Sequence, residues 1–453
     1  MQNSSKFFVN RDCSFFPCHK GLEEGNFNCL FCYCPLYERI PCPGKPDFIK
    51  KDDGRIIKRC TDCTFPHRPE NYDKIMSLLR TKKAEPVFSE EYHHGGEQIN
   101  CTAGDGIIDF SVNTNPLGLP ESAKSAIKES LAVCEKYPDQ NCSELRKKTA
   151  EKLRKTFNLS QLKEDRIVFG NGASELIQIA VQAVRPKKAL IPAPSFSGYE
   201  RALKSYGSEI LYHNLSAGKE FCLDEGFLEK IENSSPDMVF LCNPNNPTGK
   251  MIEPLLMQKT VNLCESKGIF LLIDECFIEF TSRSEESALR LINNCPHIIV
   301  LNAFTKIYAM AGLRLGYLVS SNLPLIQKIN FLKPEWNVSG ISQKAGEAVL
   351  DEKDYIEKTG ELVKNEREFL TGELKALGFE VFGSDANFIL IKNIVKPSEK
   401  LDSLLLKRSF SVRNCANFRN LDETYYRLAV KTHTENEKLL SAIKEITLQN
   451  PKI

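Results

Sequence analysis

The chain has 453 residues, room for two to four domains at about 100–200 residues each, and at 42% hydrophobic and 26% charged it carries ample core material. With 60 basic against 59 acidic side chains its net charge is +1, which excludes a global field favouring nucleic acid or an anionic membrane. No uninterrupted apolar run approaches the roughly 18 residues of a membrane helix. The start, Met1-Gln-Asn-Ser-Ser-Lys6, leads into cysteine and charge rather than an apolar signal region, so a cytoplasmic protein is expected.

Cysteines dominate the first segment. Of 17, eight fall within the first 63 residues: Cys13, Cys18, Cys29, Cys32, Cys34, Cys42, Cys60 and Cys63. Cytosolic thiols stay reduced, which argues against a disulfide scaffold. Cys29-x2-Cys32 and Cys60-x2-Cys63 have the knuckle spacing in which two thiolates hold one tetrahedral ion, so these four are the expected metal ligands. Cys13, Cys18, Cys34, Cys42, His19 and His67 supply ligands enough for a second site. The segment lacks a long periodic apolar run, and a metal would supply the stability its small core does not. Zinc is the expected ion; an iron–sulfur cluster is the other reading.

Residues 1–70 are therefore expected to form a cysteine-rich metal-binding module. Residues 71–91, with a helical stretch Tyr72–Lys83 followed by Pro86 and charge, read as a linker. From about 92 short apolar runs alternate with amphipathic stretches. Ile167–Phe169, Ala189–Ile191, Met238–Cys242, Phe270–Ile273 and Ile298–Leu301 are buried-strand candidates, with helical patterns such as Ser174–Val184 and Leu255–Lys267 between them. This alternation predicts an α/β fold with a mostly parallel sheet covered on both faces. A long charged helix near 346–380 and a strand Asn387–Ile391 open a smaller α+β domain, giving 92–345 for an N-terminal arm plus large domain and 346–453 for the small one.

Chemistry-bearing residues cluster in the predicted large domain. Phe169-Gly-Asn-Gly-Ala-Ser-Glu175 ends a strand and opens a helix, where free N–H groups hold phosphate. Asn243-Pro-Asn-Asn-Pro-Thr-Gly249 closes the strand 238–242. Asp274-Glu275 places a carboxylate at a strand's carboxyl end, where open α/β sheets bind ligands. Thr305-Lys306 and Gly312-Leu-Arg-Leu-Gly316 follow. Each is ambiguous alone; their order and spacing together are not.

The series resembles the fold-type I pyridoxal-phosphate (PLP) enzymes, the aspartate aminotransferase superfamily, over residues 92 to about 447. The resemblance implies Lys306 as the Schiff-base lysine and Asp274 as partner of the pyridine nitrogen, both catalytic. Asn246 would contact the ring's 3-oxygen, Phe196 would stack on the ring, and Ala173, Ser174, Thr305 and Arg314 would hold the cofactor phosphate. Tyr137-Pro138-Asp139 resembles histidinol-phosphate aminotransferases, in which this tyrosine reaches the neighbouring subunit's cofactor, implying a homodimer. His94-Gly-Gly96, Ile108-Asp-Phe-Ser-Val-Asn-Thr-Asn-Pro-Leu-Gly118, Asp274-Glu-Cys-Phe277 and Val412-Arg-Asn-Cys-Ala-Asn-Phe-Arg419 with Tyr426-Arg-Leu-Ala-Val430 resemble the threonine-phosphate decarboxylases of cobalamin biosynthesis. Phe277 stands where aminotransferases usually place a tyrosine. Ala303, three residues before the lysine, stands where these enzymes commonly show a hydroxyl residue.

The same resemblance places Arg413 and Arg427 toward the cofactor cleft. Arginine forks match carboxylate and phosphate oxygens, and a phosphorylated amino acid carries both. The expected substrate contacts are Arg413, Arg427, Asn246, His94 and Gly95, with Arg419 as a further candidate. The implied reaction is decarboxylation of L-threonine O-3-phosphate to (R)-1-amino-2-propanol O-phosphate. Phosphoserine, one methyl smaller, stays open as a second substrate. The alternatives are a 2-oxoglutarate-dependent histidinol-phosphate aminotransferase, and a metal-dependent regulatory protein on a PLP fold. The cysteine-rich segment is similar to a small module found beside cobalamin-biosynthesis proteins.

Overall fold

The computed structural model describes residues 4–37, 42–50, 56–80, 95–96, 106–393 and 400–449. The chain divides into two compact units, Met1–Glu90 and Glu91–Ile453.

The first unit is loop-rich. Its regular elements are an antiparallel hairpin of β1 (Asp47–Lys50) and β2 (Ile56–Arg59), and a helix, Tyr72–Arg80. Few apolar side chains are fully buried, chiefly Phe27, Leu36, Phe7 and Ile75. The helix corrects the expected linker. Ile75 is wholly buried, the Tyr72 ring stacks on Phe31 at 5.7 Å, and Asp73 pairs with Lys6 at 2.9 Å. One apolar face is enough to dock it, so residues 72–80 belong to the cysteine-rich unit.

In the second unit, β3 (Ile108–Asp109) precedes β4 (Ile167–Gly170), β5 (Lys188–Ala193), β6 (Glu209–Asn214), β7 (Met238–Cys242), β8 (Phe270–Asp274), β9 (Ile298–Ala303) and β10 (Gly316–Val319). The last seven form one sheet in the order β4-β10-β9-β8-β7-β5-β6, parallel except for β10, which runs antiparallel to both neighbours. Burial alternates between faces: Val239, Leu241, Leu271 and Ile273 enter one core, Phe240, Cys242 and Leu272 the other. Helices on both faces leave no solvated side, which is why these strands read as continuous apolar runs.

A second sheet, β11 (Glu380–Val381), β12 (Phe388–Lys392), β14 (Arg413–Asn414) and β15 (Tyr425–Ala429), is antiparallel in the order β11-β12-β15-β14. The short β13 (Phe410–Ser411) pairs with β3 in parallel. This refines the expected boundary at 345/346. The helix Gly340–Val349 and the first half of Lys353–Ala376 bury Ala345, Val349 and Val363 in the large core, whereas Leu370 and Leu374 enter the small one. Phe110, from the arm, also packs in the small domain's core. Among the described residues no helix is long and apolar enough to cross a membrane.

Candidate active site

Parallel register brings the carboxyl ends of β7, β8 and β9 to one edge: Cys242 lies opposite Asp274, and Asp274 opposite Leu301. A cavity of about 310 Å³ opens there, lined among others by Ala173, Ser174, Phe196, Asn246, Asp274, Thr305, Lys306, Arg314, Arg413 and Arg427. At its floor Asp274 is buried, accepting from the Tyr199 hydroxyl (2.7 Å) and from the Cys276 N–H (3.1 Å). Burial raises the Asp274 pKa, a cost that a cationic partner at the open side of the carboxylate would relieve.

The next wall is an anion cradle. The helix Ala173–Val184 starts at Gly172 without a side-chain cap, so its first N–H groups are available to a ligand. Gly172 has φ +81°, and a Cβ there would stand 2.7 Å from Arg314 Nη2; only glycine lets the guanidinium lie against the helix start. Thr305 and Ser174 add hydroxyls to the same cavity. Three kinds of donor therefore line the same cavity.

Lys306 follows β9 on a short helix, Phe304–Ile307, and is wholly buried. Burial, then the charges of Arg427 and Arg314, bring its pKa down to about 8, so a free-base amine is accessible near neutrality. Arg427 is itself buried, with burial lowering its pKa to about 10. It donates from Nη1 to Asn246 Oδ1 (2.6 Å) and from Nη2 to the Ser111 carbonyl (2.7 Å), while its buried Nε has no partner among the described residues. Because arginine only donates, Asn246 must present its carbonyl to Arg427, leaving its NH₂ for another acceptor. Arg413 lies directly opposite Arg427 in the β14–β15 pair and also lines the cavity.

Most of the expected site residues thus meet in one place. Gly95 also lines it, its backbone packed so closely that a Cβ would stand 2.2 Å from the Ser111 carbonyl. His94 lies outside the described residues. Tyr137 is not in this chain's cavity: it is 80% exposed, its ring 4.5 Å from that of Trp336. Arg419 is not in the cavity either; it pairs with Glu200 at 3.2 Å and covers the Tyr212 ring at 4.0 Å. Tyr199 and the Ser111 carbonyl were not anticipated. Tyr199 lies three residues after Phe196 and reads as core, and a backbone carbonyl leaves no residue-type signal.

In the cysteine-rich unit, both knuckles form the same turn, Cys32 N–H donating to Cys29 O (3.2 Å) and Cys63 N–H to Cys60 O (3.1 Å). Cys29, Cys32, Cys60 and Cys63 are the four expected ligands, and the structure gives the two knuckles different neighbours, Cys63 Sγ closing with Cys42 Sγ on Gly44. Besides burial, the charges acting on Cys18 are those of Cys32, Cys29 and Cys13, whereas those acting on Cys34 are Cys42, Cys60 and Cys63. The hairpin explains the separation, because β2 delivers Cys60 and Cys63 to the loop holding Cys42. Among the described residues, the group placed to hold a metal is Cys18, His19 and His67, their ligand atoms within 4.8 Å of one another.

Residues 105–443 match the family model for aminotransferase class I and II. The chain belongs to that family. Residues 4–87 match a second model, the cysteine-rich small domain. The chain is 34% identical over 345 residues to a threonine-phosphate decarboxylase of Salmonella typhimurium, spanning 76% of this chain and 92% of the relative. It is 30% identical to a histidinol-phosphate aminotransferase of Methanosphaera stadtmanae, over 76% and 91%. A solved histidinol-phosphate aminotransferase from Clostridium acetobutylicum superposes with a TM-score of 0.70 at 34% identity, covering 76% of this chain and all of that one. The L-threonine-O-3-phosphate decarboxylase of Porphyromonas gingivalis, 23% identical, shares the fold with a TM-score of 0.66. The fold is that of fold-type I PLP enzymes, and the cavity fits the cofactor. A buried carboxylate, an uncapped helix start with Arg314 over Gly172, and a buried lysine of lowered pKa are the groups that a ring nitrogen, a phosphate and an aldehyde would require.

Proposed function

We propose that this chain decarboxylates L-threonine O-3-phosphate, giving (R)-1-amino-2-propanol O-phosphate and CO2 for cobalamin biosynthesis, in the cytoplasm and as a homodimer. Lys306, Asp274, Asn246 and the Ala173–Ser174–Thr305–Arg314 cradle would hold PLP, which when bound would supply an electron sink for the pair left at Cα. The observation that carries the substrate class is the pair Arg413 and Arg427, side by side on the cavity wall, the latter with an unfilled Nε. Two forks suit a ligand with a carboxylate and a phosphate. The arginines would anchor the substrate by its phosphate and so orient it for cleavage of the Cα–carboxylate bond. Lys306 Nζ, with a pKa of about 8, is suited to return a proton to Cα near neutral pH. The exposed Tyr137 beside Trp336 is suited to reach a second subunit's cofactor phosphate.

The aminotransferase reading keeps support from relatives such as the one 30% identical. Phe277, on the cavity wall, offers no hydroxyl to the cofactor and favours the decarboxylase. Purified protein incubated with phosphothreonine should release CO2 without 2-oxoglutarate, faster than with phosphoserine. Glutamate formation from histidinol phosphate and 2-oxoglutarate, with no CO2 from phosphothreonine, would replace this reading with the other.

A further inference from the structure

We propose that the large domain has a second ligand site, behind the segment that carries Lys306, for a small α-amino acid with an apolar side chain. A cavity of about 240 Å³ lies there. It shares a wall with the cofactor cavity: Thr305 and Lys306 line the one, Asn302, Ala303, Phe304 and Ile307 the other. The short helix Phe304–Ile307 thus presents a face to each. The remaining walls come from the helix Ser143–Phe157, the turn Ile278–Phe280 and the start of the helix Lys353–Ala376.

Polar groups on these walls are incompletely partnered. Thr149 is 1% exposed, and its Oγ1 has no hydrogen-bond partner among the described residues; the buried Oε2 of Glu279 has none either. Lys152 donates to the Tyr308 hydroxyl (2.9 Å), which leaves two of its three N–H groups for a ligand. Burial raises the Glu279 pKa and lowers that of Lys152, and each charge eases the other's cost without a direct ion pair between them among the described residues. A ligand with an ammonium on Glu279 and a carboxylate on Lys152 would supply the close partners both lack. Lys353 and Glu357, one helical turn apart, add a second pair of opposite charges to the lining. Between the charges the walls are apolar, with Phe157, Phe304, Tyr308 and Ile356. An inorganic anion would leave Glu279 unpaired and a hydrocarbon would leave both charges so, whereas a zwitterion with an apolar side chain satisfies all three features. The cavity is smaller than the roughly 300 Å³ at which drug-sized sites begin, which limits the ligand to a small molecule.

Asn115 links this cavity to the reactive lysine. Its backbone N–H donates to the Lys306 carbonyl (3.1 Å), and its Nδ2 to the Ile307 carbonyl and to Thr359 Oγ1 (both 2.7 Å). Thr359 stands on the same helix that contributes Ile356 and Glu357. A ligand seated between that helix and Phe304 therefore acts on the backbone that positions Lys306.

The test uses full-length holoprotein in which borohydride has fixed PLP on Lys306, so that no amino acid reacts at the cofactor, with L-phenylalanine as probe. No substrate is turned over, so the outcome is independent of the decarboxylase reading. Calorimetric titration should show one L-phenylalanine per chain with a Kd below about 1 mM. 2-Phenylethylamine, 3-phenylpropionate and glycine lack the carboxylate, the ammonium and the apolar side chain respectively, and each should bind at least about tenfold more weakly. Glu279→Gln and Lys152→Met should weaken binding by about the same factor, and Arg427→Met, in the cofactor cavity, should leave it within about twofold. Amide hydrogen exchange over residues 302–308 and 353–359 should slow on binding. The analogue series on the parent chain decides the matter even where a variant misfolds. Absence of binding at about 10 mM, equal binding of the amine or the carboxylate alone, or loss of binding in Arg427→Met beside retention in Glu279→Gln would each overturn the proposal.

Discussion

Replacing Arg427 by methionine probes the link between substrate binding and the reactive lysine. Methionine keeps a flexible apolar stem over the Phe388 ring, which the guanidinium carbon covers at 5.5 Å. The fork already spends one N–H on Asn246 and one on the Ser111 carbonyl, leaving Nε–H and the second N–H of each terminal nitrogen for a ligand. Two charge-assisted bonds to a substrate anion, at about 1.5–3 kcal/mol each, come to about 3–6 kcal/mol. That corresponds to a loss of roughly 10²–10⁴ in kcat/KM, measured by CO2 release from phosphothreonine. PLP content should hardly change, since the residues proposed to hold its phosphate are Ser174, Thr305 and Arg314. Removing this cation also makes the charged form of Lys306 easier to keep, so its pKa rises from about 8 toward the ordinary lysine value. The free-base amine then appears at higher pH, and the rate at which apoprotein takes up PLP should climb later on the pH axis. Arg427→Lys keeps the charge without the fork; it should lose substrate affinity while leaving that pH profile near its original place. A kcat/KM within threefold of the parent together with an unmoved profile would refute the reasoning.

Three further outcomes are expected. Lys306→Ala should gain no cofactor mass on borohydride reduction, whereas the parent chain should. Gly172→Ala puts a Cβ against Arg314 Nη2 at a φ of +81°, and should weaken PLP binding at least tenfold and lower stability by about 1 kcal/mol or more, read by cofactor titration and denaturant melts. Arg419→Ala severs the partly exposed pair with Glu200 outside the cavity, so kcat/KM should stay within about twofold and stability fall by less than about 1 kcal/mol.

Strands buried on both faces were legible because nothing polar interrupts them: Met238–Cys242 is found with the ends predicted, and Phe270–Asp274 with one residue more. The sheet's other members were harder. Glu209–Asn214, at the edge, carries charge and half-buried side chains, and Gly316–Val319 is four residues long and runs against the rest. The cofactor pocket was legible residue by residue because its groups sit in short motifs at strand ends. The approach of Cys63 and Cys42 to Gly44 was not, since spacing identifies a knuckle but says nothing of which loop a hairpin will carry it to. Arg419 failed for a related reason: it shares a segment with Arg413, yet only a β-register decides which arginine turns inward.

That register has an energetic consequence. Residues opposite one another in an antiparallel pair project from the same face, so once Arg427 lines the cavity, Arg413 must stand beside it. Two like charges on one face are unfavourable, and Arg413 accordingly helps burial to lower the Arg427 pKa. Arg427 in turn lowers the Lys306 pKa. A ligand with two anionic groups reverses both effects: it neutralises the arginines, and in doing so makes Lys306 easier to protonate. Without a bound anion the lysine is thus least basic, which favours the free amine the apoprotein needs to take up the cofactor. It is more basic once the anions are in place, when a proton has to be taken up for delivery to Cα. Under the proposed function the same pair of side chains would bind the substrate and set when the lysine takes up its proton, which neither a lone arginine nor an arginine pair remote from the lysine would do.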